Sequence, residues 1–209
     1  MRLDRLRKLE LDFLEVYPQG FNDPEMQKIA KKHNIDKLSE LTQQAFSNSS
    51  SISVDAFLED IVRIVSRSSM VSIFEKPKFK EYIHHLDDIQ KQKFSEALIN
   101  LVTKQQKKGF EDLVEMLSKA KLAKWSLITI CLFYFNPQKE VFIKPTVTKD
   151  VISFFEIQDL VYKPTPTWEF YKKYRDIINS MKKSVDKSFT TNNAAFTGFI
   201  MMSLNSLKK

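Results

Sequence analysis

The sequence predicts an all-α protein, an irregular multi-helix bundle around one buried central helix. Three observations lead there. Apolar residues recur at three- and four-residue intervals over most of the chain, the mark of a 3.6-residue period. The run from Trp125 to Phe135, WSLITICLFYF, has no polar face, so a helix there must be covered on every side. Extended structure is expected at most once, at Val141-Phe142-Ile143 ahead of Pro145. With 209 residues, 43% hydrophobic and 28% charged, the chain is rich enough in apolar surface to fold and long enough for one large domain or two small ones.

The elements can be justified in order. Leu3, Leu6, Leu9, Phe13, Val16 and Tyr17 form a first helical stripe, which Pro18 and Gly20 end. Asp23 reads as an N-cap with Pro24 at the first helical position, and Met26, Ile29 and Ala30 line a second helix up to His33-Asn34. A third is predicted from about Asp36 to Phe46. The serine-rich stretch after it reads as a flexible connection. Residues 1–46 are therefore expected to be an N-terminal helical unit, 47–53 a connection, and 54–209 the main domain on which the short unit docks.

Ser53 reads as the next N-cap, before Val54, Phe57, Leu58, Ile61, Val62 and Val65. A helix from Lys78 to about Leu86 follows, then one from Asp87 to about Gln105, with a turn at Lys107-Lys108-Gly109. Phe110, Leu113, Val114, Met116 and Leu117 form another helix, and the apolar run follows it. Beyond Asn136-Pro137, helices are predicted from about Thr148 to Phe155, from Pro166 with Thr165 as its cap, and from about Asn193 to Leu204.

Composition removes several function classes. The three glycines, Gly20, Gly109 and Gly198, are far apart, so dinucleotide and P-loop phosphate cradles and the glycine-flanked serine elbow are absent. None of the 26 carboxylates is followed two residues later by Lys, as a common class of metal-dependent nucleases requires. The single cysteine, Cys131, lies inside the apolar run and can form neither an internal disulfide nor a thiolate cage. A reducing, cytoplasmic location is expected. No secretory h-region or membrane-length apolar run is present, so no membrane partner is expected, and no cofactor is implied.

Segment 136–183 contains the run Phe142-Ile143-Lys144-Pro145-Thr146, then Tyr162-Lys163-Pro164, then Trp168 spaced three residues from Tyr171. It resembles a block found in uncharacterised bacterial proteins. The resemblance implies a bacterial origin and a recurrent domain, and it carries no activity, since those relatives have no established one.

Charge supplies the remaining signal. Residues 1–100 hold 15 Lys/Arg against 16 Asp/Glu, and residues 101–209 hold 18 against 10, so the C-terminal half is basic. Lys107, Lys108, Lys121, Lys124, Lys172, Lys173 and Arg175, with Trp125 beside them, are the residues expected to contact a polyanion such as nucleic acid: lysines bind phosphate and aromatic rings stack on bases. With one arginine in this half, base-specific reading is not expected. A lysine-rich solvated face from an A+T-rich genome is the competing reading, and an acidic protein partner is another.

An enzymatic alternative rests on His84, His85 and Asp88. His84 and Asp88 would share a helix face, and imidazole with carboxylate is a metal-ligand set. Asp87 between them looks committed to capping the following helix, which makes this stretch a polar helix junction in the simpler reading. The chain is therefore expected to be a non-catalytic binding module.

Overall fold

The innermost helix of the molecule is the one with no polar face. A computed structural model describes residues 1–207, and in it α8 (Trp125–Phe135) has nine buried residues. It packs against α3 (Ile35–Asn48), α4 (Val54–Arg67), α6 (Asp88–Thr103) and α7 (Gln106–Lys119). Its few polar groups are all used internally. Thr129 Oγ1 donates to the carbonyl of Trp125 (2.7 Å) and accepts from the amide of Ile143 (3.1 Å), and the Tyr134 hydroxyl pairs with Ser68 Oγ (2.9 Å). Burial pushes the Cys131 thiol up to about 12, so it stays protonated and behaves as a small apolar side chain.

The other elements are α1 (Leu3–Val16), α2 (Pro24–His33), α5 (Glu75–His84), α9 (Pro145–Phe154), α10 (Trp168–Lys182) and α11 (Asn193–Leu207), with 3₁₀ turns at Gly20–Asn22 and Lys187–Phe189. The described residues contain no strand, and Val141 to Ile143 is an irregular segment with Val141 and Ile143 fully buried. None of the helices among the described residues is long and apolar enough to cross a membrane.

Several starts and stops sit where local chemistry requires. Asp23 accepts from the amide of Glu25 (3.0 Å) with Pro24 at the first position of α2. Ser53 accepts from Ala56 (3.2 Å) to open α4. Asp87 and Gln90 form a reciprocal capping box on α6, at 2.8 and 3.0 Å. Asn34 ends α2 in the left-handed conformation, with φ 50°.

Four boundaries depart from expectation, the simplest being α9, which begins at Pro145 and not near Thr148 because proline is favoured at a helix's first position. Lys107-Lys108-Gly109 is not a turn but the first part of α7, and Gly109 is buried where α7 crosses α6. A Cβ there would lie 2.1 Å from the Leu101 amide nitrogen and 2.5 Å from the Ala97 carbonyl oxygen, so glycine is present for close approach. Next, α5 begins at Glu75, ahead of Pro77, because a proline in the first turn removes an amide that has no helical partner anyway. Finally, α10 is capped by Thr167, whose hydroxyl accepts from Phe170 (3.4 Å), and not by Thr165, which the following Pro166 biases away from helical geometry.

The first and last helices meet. α1 lies on α11, and Phe13, Phe21, Phe189 and Phe199 form an aromatic cluster with centroids 4.4 to 6.0 Å apart. The buried Glu10 carboxylate accepts from Arg7 (2.6 Å) and from the amide of Asp186 (2.6 Å), which ties α1 to the turn before α11. The turn between α3 and α4 is closed by the Ser51 amide on the Asn48 carbonyl (2.8 Å).

Candidate nucleic-acid interface

The residues expected to meet a polyanion separate into three groups. Trp125 and Arg175 are interior. Trp125 is 2% exposed, its indole N–H donates to the Lys163 carbonyl (2.8 Å), and its ring packs on Phe110 and Phe170. It cannot stack on a base as placed.

Arg175 belongs to a buried polar seam. Its Nη1 donates to both oxygens of Glu140 (3.1 and 3.0 Å) and to Gln106 Oε1 (2.9 Å). Tyr171 donates to Glu140 Oε2 (2.7 Å), and burial, aided by the adjacent carboxylate, holds that phenol well above its usual range. The seam joins α7, the segment after α8 and α10, and Asn193 of α11 donates to the Glu140 carbonyl (3.1 Å). The Arg175 guanidinium is largely buried and its Nη1 is taken up by Glu140 and Gln106, so as placed it does not present a free fork to a phosphate. Charge at Glu140 and Arg175 is visible in sequence, but their pairing across 35 residues is not.

Lys107, Lys108 and Lys173 are exposed but engaged. Lys107 pairs with Glu169 (3.4 Å) and Glu111 (3.7 Å), and Lys108 with Asp112 (2.6 Å). Both ammonium groups are held above their usual range by these carboxylates, Glu169 first for Lys107. Lys173 donates to the Asp159 carbonyl (2.7 Å).

Lys121, Lys124 and Lys172 remain, exposed and with no ion pair among the described residues. Two of them stand in a set the sequence did not single out. The N-terminus of α8 is joined to that of α5 by Ser126 Oγ donating to Glu75 Oε2 (2.6 Å), and to the loop before α10 by the Trp125 bond to Lys163. These contacts tie the segments that carry Lys121 and Lys124 to those that carry Lys76 and Lys163, none of the four ion-paired among the described residues, and the Trp125 ring meets Tyr162, whose ring centre lies 5.1 Å from the Lys149 ammonium.

The same segments carry exposed apolar groups, Ile73 at 72% and Phe74 at 74% ahead of α5 and Val161 at 72% two residues before Lys163. Glu75, which precedes Lys76, is held by Ser126. No protein-family model matches this sequence, and none of the curated proteins or solved structures compared with it matches either. The site therefore has to be read from its own chemistry. The sequence does not single out Phe74, which lies ahead of the helix start predicted at Lys78, and only the fold shows that it is 74% exposed.

The metal-ligand alternative does not assemble. His84 Nε2 meets Glu59 Oε1 of α4 (2.8 Å), while His85 Nδ1 meets the Glu81 carbonyl (2.7 Å) in a different direction. Asp88 is the first residue of α6, beside the capping Asp87. Among the described residues no group of three or more histidine, cysteine or acidic side chains is close enough to hold an ion.

Proposed function

We propose that this protein is a non-catalytic binding module for single-stranded nucleic acid, contacted at the α8 and α5 N-termini. The observation that supports this reading is that the start of α8, preceded by the exposed, unpaired Lys121 and Lys124, is bonded through Ser126 to Glu75, next to the exposed ring of Phe74, and through Trp125 to the backbone of the exposed Lys163. Lysines without carboxylate partners release counterions when they take phosphates, and an exposed ring offers a stacking platform that does not depend on base identity. Sequence-specific reading is not part of the proposal, because the one arginine of the basic half is consumed by Glu140.

Fluorescence anisotropy with labelled single- and double-stranded oligonucleotides at about 50 and about 200 mM salt tests it. Affinity for the single strand should fall with salt at a log-log slope of about −0.7 per neutralised phosphate. Reversing Lys121 and Lys124 to Glu should weaken binding and flatten the slope by about 1.4. The same reversal at Lys107 and Lys108, already paired with carboxylates, should have less effect. Phe74→Ser should weaken single-strand binding more than duplex binding. Absence of binding at the lower salt, with binding to an acidic protein instead, would remove nucleic acid as the partner.

A further inference from the structure

A cavity of about 230 Å³ lies between α2, α9 and α11, on residues that the polyanion reading does not use. α11 carries no charged residue from Asn193 to Leu207. Phe196, Phe199, Ile200 and Leu204 fill the core on one side, while Ala194, Ala195, Gly198, Met201 and Met202 form a second apolar side that is only half covered. That second side is a wall of the cavity, completed by Ile29, Met70, Phe142 and Val147.

Gly198 points to a purpose for the space. Glycine is the poorest helix former after proline, and it needs a compensating reason in the middle of a helix. At Gly109 that reason is a crossing backbone. At Gly198 a Cβ would meet within 4 Å only Phe21 Cζ, at 3.8 Å, which is ordinary contact. No neighbour and no left-handed φ requires the glycine, and its missing side chain leaves that stretch of the cavity wall open. Methionines at three wall positions add an adaptable lining.

The one lysine of the lining among the described residues is Lys144. Lys144 is exposed, has no ion pair among the described residues, and stands with His33, whose Nδ1 is 2.9 Å from Ser69 Oγ. No aspartate or glutamate lines the space. A volume of this size is that of about eight waters, comparable to a chain of about eight methylenes. We propose that this cavity binds a small amphipathic carboxylic acid, with its apolar chain against Gly198 and the methionines and its carboxylate at Lys144. The inference is independent of the nucleic-acid reading.

Calorimetric titration of the full chain with octanoate tests it, with octylamine as the control of opposite charge. Octanoate should bind and octylamine should not. Gly198→Leu should fill the cavity and lower octanoate affinity by about tenfold or more. Lys144→Glu, on the exposed rim and harmless to the fold, should do the same, while the Lys121→Glu, Lys124→Glu double variant should leave octanoate binding unchanged. No octanoate binding, equal binding of octylamine, or undiminished binding in Lys144→Glu would each overturn the proposal.

Discussion

The α6–α7 crossing and the outer side of α11 each place a glycine inside a helix, and the two have opposite surroundings. Around Gly109 the neighbouring helix is so close that its backbone occupies the space a side chain would need. Around Gly198 there is room. The first region is closed, with Ala97, Leu101 and Phe110 buried against one another, and the second is open, with apolar groups half covered. A glycine in a helix thus carries two unrelated meanings, close packing and deliberate space, and only its partner distinguishes them.

The sharpest way to break this comparison is Gly109→Ala. A methyl 2.1 Å from the Leu101 nitrogen and 2.6 Å from its Cα cannot be relieved by a rotamer change. The two helices must separate along their interface, so the expected cost exceeds about 4 kcal/mol, beyond ordinary overpacking. Chemical denaturation measures it. A cost below about 1 kcal/mol would show that the crossing is loose and that the contrast with α11 has no basis.

Next in size is the polar seam between the two regions. Arg175→Met leaves the Glu140 carboxylate buried without its cation, and the expected loss is about 3 kcal/mol. The Tyr171 and Gln106 bonds to the same carboxylate keep the loss from being larger. Adding Glu140→Gln to that variant should recover part of the loss, because the stranded charge is then gone. A double-mutant cycle reads the coupling directly. Two independent, additive losses would mean that the seam does not work as a unit.

What could be read from the sequence divides along the same line. The closed, apolar part was legible: α8 as the central helix, the caps at Asp23, Ser53 and Asp87, and the helical stripes all follow from local rules of period and hydrogen bonding. Gly109 was misread because two lysines before a glycine resemble a turn, although Phe110, Leu113 and Leu117 extend the helical stripe back through it. The candidate sites were less legible, because each depends on who covers whom. Trp125 and Phe74 are both aromatic residues beside lysines, yet one is interior and the other exposed. Lys107 and Lys124 look alike in the chain, but carboxylates neutralise only the first. Glu140 with Arg175, and the cavity at Gly198, are products of tertiary contact alone.

A smaller effect of opposite sign is expected from Gly198→Ala. Where no atom is displaced, replacing glycine in a helix should stabilise by roughly 0.5–1 kcal/mol. The methyl enters the cavity, and its only neighbour is the far edge of the Phe21 ring at 3.8 Å. Thermal or denaturant unfolding should therefore show a gain from the same substitution that is ruinous at Gly109. A loss at Gly198 would mean that the α11 side is as tightly packed as the crossing.

The smallest effect concerns His33, at the polar end of the open region. As the last residue of α2 it is expected to favour its charged form through the helix dipole, yet burial, and then the charge of Lys144, lower its pKa below the usual value. The sign follows from proton counting. Above about pH 6.5 the imidazole is neutral in both folded and unfolded chains and contributes nothing. As pH falls below about 6.5 the unfolded chain takes up a proton that the folded chain resists, so stability is lost until the folded imidazole also titrates. Comparing the native chain with His33→Asn by denaturation at about pH 7.5 and about pH 5.5 isolates this from the carboxylates common to both. The native chain should lose more stability than the variant over that interval. Equal losses would mean that solvent reaches His33 freely and that the mouth of the cavity is wetter than its apolar walls imply.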